Sequence, residues 1–83
     1  FPYFHFNLGN LLCLSSSFVE AIDSYSRAIS LYPYMGDAYF NRGLVLIYLK
    51  DKEKGCIDLS HAGELGVADA YGVIKKYCEE AEQ

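Results

Sequence analysis

The sequence predicts an all-α fold, an α-α superhelix of five helices in which two helix-turn-helix repeats precede a closing helix. The main observation is an internal repeat, because a shift of 34 residues aligns the chain with itself. Such a period is typical of helical solenoids, in which each unit buries its apolar face on the next. The identities fall in two blocks: Phe6 with Phe40, Asn7 with Asn41, Gly9 with Gly43, Leu12 with Leu46, Ser26 with Ser60, Ala28 with Ala62, and Leu31 with Leu65.

The first repeat, about residues 2–35, contains two runs of apolar residues at helical spacing. Leucines from Leu8 onward predict a first helix, which a run of three serines interrupts. The last of these, Ser17, forms a capping-box pattern with Glu20 and predicts the start of a second helix. Pro33 predicts its end, because proline cannot continue a helix.

The second repeat, about residues 36–67, follows the same plan. A helix is expected from Asp37 to Leu49, and Asp51 is the expected N-cap of a helix that continues through Leu65. Gly66 is then expected to end this helix in a left-handed conformation.

A closing helix is expected at about residues 68–81, and the whole chain, residues 1–83, is expected to form one domain. The closing helix begins with Asp69-Ala70-Tyr71, which repeats Asp37-Ala38-Tyr39 at a shift of 32. One side is apolar and the other is charged, as in the solvating caps that close solenoids. The apolar side is Val73, Ile74 and Tyr77, and the charged side is Lys75, Lys76, Glu79 and Glu80.

Composition and charge exclude several classes of function. Hydrophobic residues make up 52% of the 83 residues, which excludes a disordered tail. The net charge is −4, and no basic stripe is present for a phosphate backbone. The longest apolar run, Leu44 to Leu49, is far shorter than the roughly 20 residues of a membrane helix. We therefore expect no nucleic-acid partner and no membrane partner.

These positions resemble the tetratricopeptide repeat (TPR) family over nearly the whole chain. The first repeat supplies the family's Leu-Gly pair and its later small, aromatic and proline positions as Leu8-Gly9, Leu12, Ala21, Tyr25, Ala28 and Pro33. The second supplies Tyr39, Arg42-Gly43, Leu46, Gly55, Leu59 and Ala62. The resemblance implies that the small residues of both repeats let paired helices approach closely.

Two residues depart from the family pattern. Arg42 stands where leucine is common, and we expect its aliphatic stem to cover apolar surface. Phe4 stands where the later helices have Ala38 and Ala70, on the side that meets a preceding repeat. Because the chain also starts at Phe1 without an initiating Met, we interpret it as the C-terminal piece of a longer protein. Earlier residues or a second copy would then cover Phe4.

The resemblance implies a protein-interaction scaffold, because the first helix of each repeat in this family lines a concave groove that holds peptides or helices. Rings would supply contact area and asparagines would pair with backbone amides. The expected partner is another protein or peptide. The alternative is a structural C-terminal end-piece that forms a homo-oligomer and has no ligand of its own. The implied groove residues are Tyr3, Phe6, Asn7, Asn10, Cys13, Asp37, Phe40, Asn41, Leu44, Ile47 and Tyr48.

Some family members hold acidic chaperone tails with a clamp of lysines, asparagines and an arginine. Only the two amides match here, as Asn10 and Asn41. Phe6 replaces the first lysine, and Asp69 and Val73 occupy the later basic positions. We therefore expect the chain not to bind acidic tails.

No residue pattern predicts catalysis, a metal site or a cofactor. His5 is expected to be a packing residue with a satisfied ring nitrogen, and His61 has no neighbouring nucleophile. Cys13, Cys56 and Cys78 form no Cys-x-x-Cys pair. We expect all three to be small buried residues in a reducing cytoplasm.

Overall fold

The computed structural model describes residue 1 and residues 3–79, and these residues form five helices and no strand. The predicted all-α fold is therefore confirmed. Residues 80 and 81 of the expected closing helix, including Glu80, lie outside the described residues. The helices are α1 (Phe4–Leu14), α2 (Phe18–Leu31), α3 (Gly36–Tyr48), α4 (Lys52–Glu64) and α5 (Asp69–Tyr77).

The helices form a stack of antiparallel pairs. α1 packs against α2 and α3 against α4, while α2 also contacts α3, and α5 packs on α4. The α3 and α4 backbones approach closely, because a Cβ on Gly43 would lie 2.9 Å from the Gly55 carbonyl oxygen. In the first pair, a Cβ on Gly9 would lie 2.6 Å from the Tyr25 ring. Close packing at these sites therefore requires glycine.

The turns that end α1, α3 and α4 share one backbone geometry. Ser16, Lys50 and Gly66 have φ angles of 61°, 74° and 101°. In each turn the following residue donates its backbone N–H to a carbonyl five residues earlier, at 2.8–3.0 Å. This pattern satisfies carbonyls that the helix end leaves free. The left-handed Gly66 is confirmed, whereas Ser16 and Lys50 were not foreseen.

The two predicted N-caps differ in the structure. Ser17 stands at the N-cap of α2, but its side chain makes no capping hydrogen bond. Only the position of the predicted capping box is therefore right. Asp51 does cap α4, because its carboxylate accepts from the backbone N–H of Lys54 at 3.5 Å.

Arg42 forms a buried ion pair that the sequence analysis missed. Its guanidinium donates to Asp58 from Nε at 2.6 Å and from Nη2 at 2.8 Å. It also donates from Nη1 to Ser26 Oγ at 3.0 Å. Hydrogen bonding to Asp58 raises the pKa of Arg42 above its ordinary value. Arg42 thus links α2, α3 and α4 through its charged group as well as its aliphatic stem.

The pairing of Cys56 with Cys78 corrects the expectation of three unpaired cysteines. The two residues are 22 positions apart in sequence, and the packing of α5 on α4 brings their Cα atoms to 6.1 Å, where a disulfide joins them. Cys13 is unpaired. Because disulfides persist mainly in oxidising compartments, this pair does not support the expected reducing cytoplasm.

Candidate functional site

A groove of about 450 Å³ lies on the face shared by α1 and α3, and we call it the α1–α3 groove. Five of the residues that the family resemblance implied line it: Asn10, Cys13, Asn41, Leu44 and Tyr48. The first helices of the two repeats, α1 and α3, meet here through the hydrogen bond between Asn10 and Asn41. Its other lining residues are Leu14, Phe18, Tyr25 and Val45.

A hydrogen-bonded cluster crosses the floor of the α1–α3 groove. The Tyr25 hydroxyl donates to Asn10 Oδ1 at 2.5 Å, and Asn41 Nδ2 donates to the same oxygen at 2.9 Å. The Cys13 sulfur lies 3.5 Å from the Tyr25 hydroxyl. Burial, together with this contact, raises the pKa of Tyr25 above its ordinary value, so the hydroxyl stays protonated and can donate. The cluster fixes both asparagine side chains relative to each other.

Each asparagine keeps one polar group for a ligand. Within residues 3–79, neither Asn10 Nδ2 nor Asn41 Oδ1 has a hydrogen-bond partner, and neither atom is fully buried. If the amide oxygen and nitrogen of both side chains were exchanged, the groups without a partner would again be one NH2 group and one carbonyl oxygen. The groove therefore offers a donor and an acceptor side by side, the pair that a peptide group matches.

Apolar side chains form the wall beside these amides. The Phe18 and Tyr48 rings pack with their centroids 4.9 Å apart. Tyr48 remains 67% exposed and Leu44 37% exposed, although both lie in a concavity. Leu14 is 84% exposed at the same end. This wall can cover a bulky apolar side chain of a ligand.

The remaining implied residues lie in several places. Ile47 lines a neighbouring hollow towards α5 together with Leu44 and Tyr48. Phe6 is half-buried, with its ring 6.0 Å from that of Tyr25, and it packs against the core. Tyr3 lies 6.5 Å from the Phe6 ring and lines a separate hollow at the α2–α3 turn. Phe40 is half-buried, and Asn7 and Asp37 are exposed.

Leu14, Phe18, Tyr25 and Val45 are groove residues that the sequence analysis did not assign to the site. Leu14 ends α1, and Phe18 begins α2. Tyr25 was taken only as a packing position, although a buried hydroxyl needs a hydrogen-bond partner. That requirement was the available signal, because it directs attention to polar residues on the facing helix.

The two histidines form no catalytic arrangement in the described part of the chain. His5 Nδ1 is buried without a hydrogen-bond partner, so the expectation of a satisfied nitrogen is wrong. Its ring packs edge-on against Phe4 at 5.0 Å. His61 is exposed, 5.2 Å from the Tyr39 ring and 3.8 Å from Glu64. No cluster that could hold a metal ion occurs in residues 3–79.

None of the described helices is both long and apolar enough to cross a membrane.

The fold places this chain in the class of all-α helical repeat proteins. It is similar to a UDP-N-acetylglucosamine–peptide N-acetylglucosaminyltransferase of Giardia intestinalis, with 37% identity over 68 residues. The match covers 78% of this chain and 5% of that protein, so the chain spans a small part of its relative's length. No family model matches the chain, and no solved structure matches it.

Proposed function

We propose that this chain is a TPR-type interaction module that holds an extended segment of another protein in the α1–α3 groove. One observation carries the proposal: Asn10 and Asn41 are fixed together and present a free NH2 group and a free carbonyl beside an apolar wall. A peptide group presents the complementary pair, a carbonyl and an N–H. The wall adds contact area for one apolar side chain of the ligand.

The relative's name supports a role near peptides but does not make this chain an enzyme. That protein transfers N-acetylglucosamine to peptide according to its name, and the aligned part is 5% of it. A segment of that size is consistent with a part that binds rather than reacts. We therefore propose binding without catalysis, and turnover of a nucleotide sugar by the purified chain would contradict this.

The test is selection of ligands from a random peptide phage library, followed by calorimetric titration of the selected peptides. Asn41→Ala removes one free polar group and is expected to weaken binding about tenfold, roughly 1.4 kcal/mol, because a ligand peptide group is left unpaired. Asn7→Ala is the matched control, since Asn7 has the same repeat position but is exposed. Equal affinities for both variants would refute binding in this groove.

A second candidate function, self-association, is favoured by the open face of α1. Phe4 and Leu11 are 57% and 61% exposed, whereas their repeat equivalents Ala38 and Val45 are 0% and 7% exposed against α2. Sedimentation of the wild type and of Leu11→Glu separates the two functions. A dimer that Leu11→Glu dissociates would support self-association, and a monomer at all concentrations would exclude it.

A further inference from the structure

The concave face continues beyond the α1–α3 groove onto α5. A second hollow of about 730 Å³, the α3–α5 hollow, is lined by Leu44, Ile47, Tyr48, Lys50 and Tyr77. Leu44 and Tyr48 line both concavities, so they form a ridge between two adjoining spaces. We propose that the α3–α5 hollow is a second subsite for the same extended peptide and takes a bulky uncharged side chain. This proposal rests on the proposed function of the groove.

The space between α1 and α3 and the space between α3 and α5, which we call the α1–α3 and α3–α5 junctions, differ in polarity at equivalent positions of the repeat. This difference bears on the chemistry of the second subsite. At the α1–α3 junction the buried hydroxyl requires partners, and two asparagines supply them. At the equivalent positions of the α3–α5 junction all three residues are apolar, and one of them, Leu44, lines the hollow. The exchanges are Tyr25 to Leu59 and Asn10 to Leu44 at a shift of 34, and Asn41 to Val73 at a shift of 32.

The two sites therefore differ in the part of a ligand that they can bind. The α1–α3 groove can pair with the ligand backbone, while the α3–α5 hollow is lined mainly by aliphatic and aromatic side chains, which can cover apolar surface. Lys50 is the charged lining residue of the hollow and is exposed at its rim. A lysine or arginine anchor would be repelled by Lys50, whereas an aliphatic or aromatic side chain can pack against Leu44, Ile47 and the two tyrosine rings.

The spacing of the subsites fixes the spacing of the anchors. The two hollows lie on either side of α3, and a helix with its side chains is about 10 Å wide. In a polyproline II segment, side chains three residues apart lie on one side, about 9 Å from each other. The ligand class is thus an extended peptide with bulky apolar residues at positions i and i+3.

The disulfide holds the α5 wall of the second subsite. Tyr77 adjoins Cys78, which is bonded to Cys56 of α4. Elsewhere along α5, Ala70 is fully buried and the Tyr71 ring lies against Gly63. Without the bond, the last turn of α5 loses its covalent link to α4. The second subsite should therefore depend on the disulfide, while the α1–α3 groove should not.

The experiment uses two terminally blocked serine hexapeptides, one with leucine at positions 2 and 5 and one with leucine at position 2 only. We expect the two-leucine peptide to bind the wild type about tenfold more tightly, well above the twofold that a second equivalent anchor gives by statistics alone. Tyr77→Ser and the double variant Cys56→Ser/Cys78→Ser should remove this gain and leave the one-leucine affinity unchanged. Tyr34→Ser is the matched control, because Tyr34 is an 84% exposed tyrosine away from both hollows.

The outcomes separate the two proposals. Equal binding of both peptides to the wild type would overturn the second subsite and leave the groove function standing. A gain that survives Tyr77→Ser would also overturn it, because the second leucine would then bind elsewhere. Failure of both peptides to bind would count against peptide binding in the α1–α3 groove, and it would overturn the second subsite as well.

Discussion

Replacing Arg42 by alanine should be among the most damaging substitutions in this chain. Asp58 is 4% exposed and would lose two guanidinium hydrogen bonds, at 2.6 and 2.8 Å. Breaking a buried ion pair by removing one partner costs about 3–5 kcal/mol. Because the Arg42 side chain is still 21% exposed, water can reach part of the pair, and we expect a loss near the lower end, about 3 kcal/mol.

This loss is large relative to the stability of a domain of this size. At roughly 0.05–0.15 kcal/mol per residue, 83 residues give a free energy of unfolding of about 4–12 kcal/mol. Arg42→Ala should therefore shift the urea midpoint strongly or leave the chain partly unfolded in buffer. Far-UV circular dichroism in urea measures both outcomes.

A double-mutant cycle distinguishes the ion pair from simple packing. Arg42→Leu alone should destabilise, because Asp58 stays buried and unpaired, whereas Arg42→Leu with Asp58→Leu should recover most of the loss. The coupling energy should then be at least about 2 kcal/mol. A coupling energy near zero, or a double variant no more stable than the single one, would refute this reasoning.

Three further predictions concern glycine, a turn and the disulfide. Gly43→Val should lower the free energy of unfolding, measured by urea denaturation, by about 1–3 kcal/mol, because its Cβ would meet the facing backbone at 2.9 Å. Gly72→Ala should raise the free energy of unfolding by about 0.5–1 kcal/mol, because a Cβ at Gly72 has nothing within 4 Å and alanine is the better helix former. Lys50→Gly should raise it by about 1 kcal/mol, because glycine tolerates a φ of 74°, and an unchanged midpoint would contradict this. Reducing Cys56–Cys78 with a dithiol should lower it by about 3 kcal/mol, the entropy estimate for a bond that spans 22 residues, and a Cys13→Ser background excludes effects on the free thiol.

The helices were predictable because their signals are local and occur twice. Apolar spacing, the serine run and Pro33 bracket α1 and α2, and the 34-residue shift carries the same boundaries to α3 and α4. The structure places the helix starts and ends within one or two residues of those expectations, apart from the C-terminal end of the closing helix. Left-handed turns at Ser16 and Lys50 escaped prediction because these residue types rarely adopt that conformation, and only the shared position 34 residues apart could have linked them.

Contacts between residues distant in sequence were the part that the sequence did not reveal. Arg42 and Asp58 are 16 positions apart on different helices, and each alone looks like a surface residue. Cys56 and Cys78 meet only because α5 folds back on α4 after the left-handed turn at Gly66. His5 illustrates the opposite error, since packing was foreseen but the hydrogen-bond partner of Nδ1 does not exist in the described chain.

The groove chemistry depends on the junction between repeats rather than on the repeat itself. Asn7 and Asn41 are identical under the 34-residue shift, yet Asn41 bonds to Asn10 while Asn7 is exposed. The difference arises because Asn41 faces the preceding helix α1, and no described helix precedes α1. The family pattern can therefore place a residue on the concave face, but the hydrogen bonds of that residue are decided by the neighbouring repeat. Specificity of this groove should accordingly change with the pairing at each junction, even where the repeat consensus is kept.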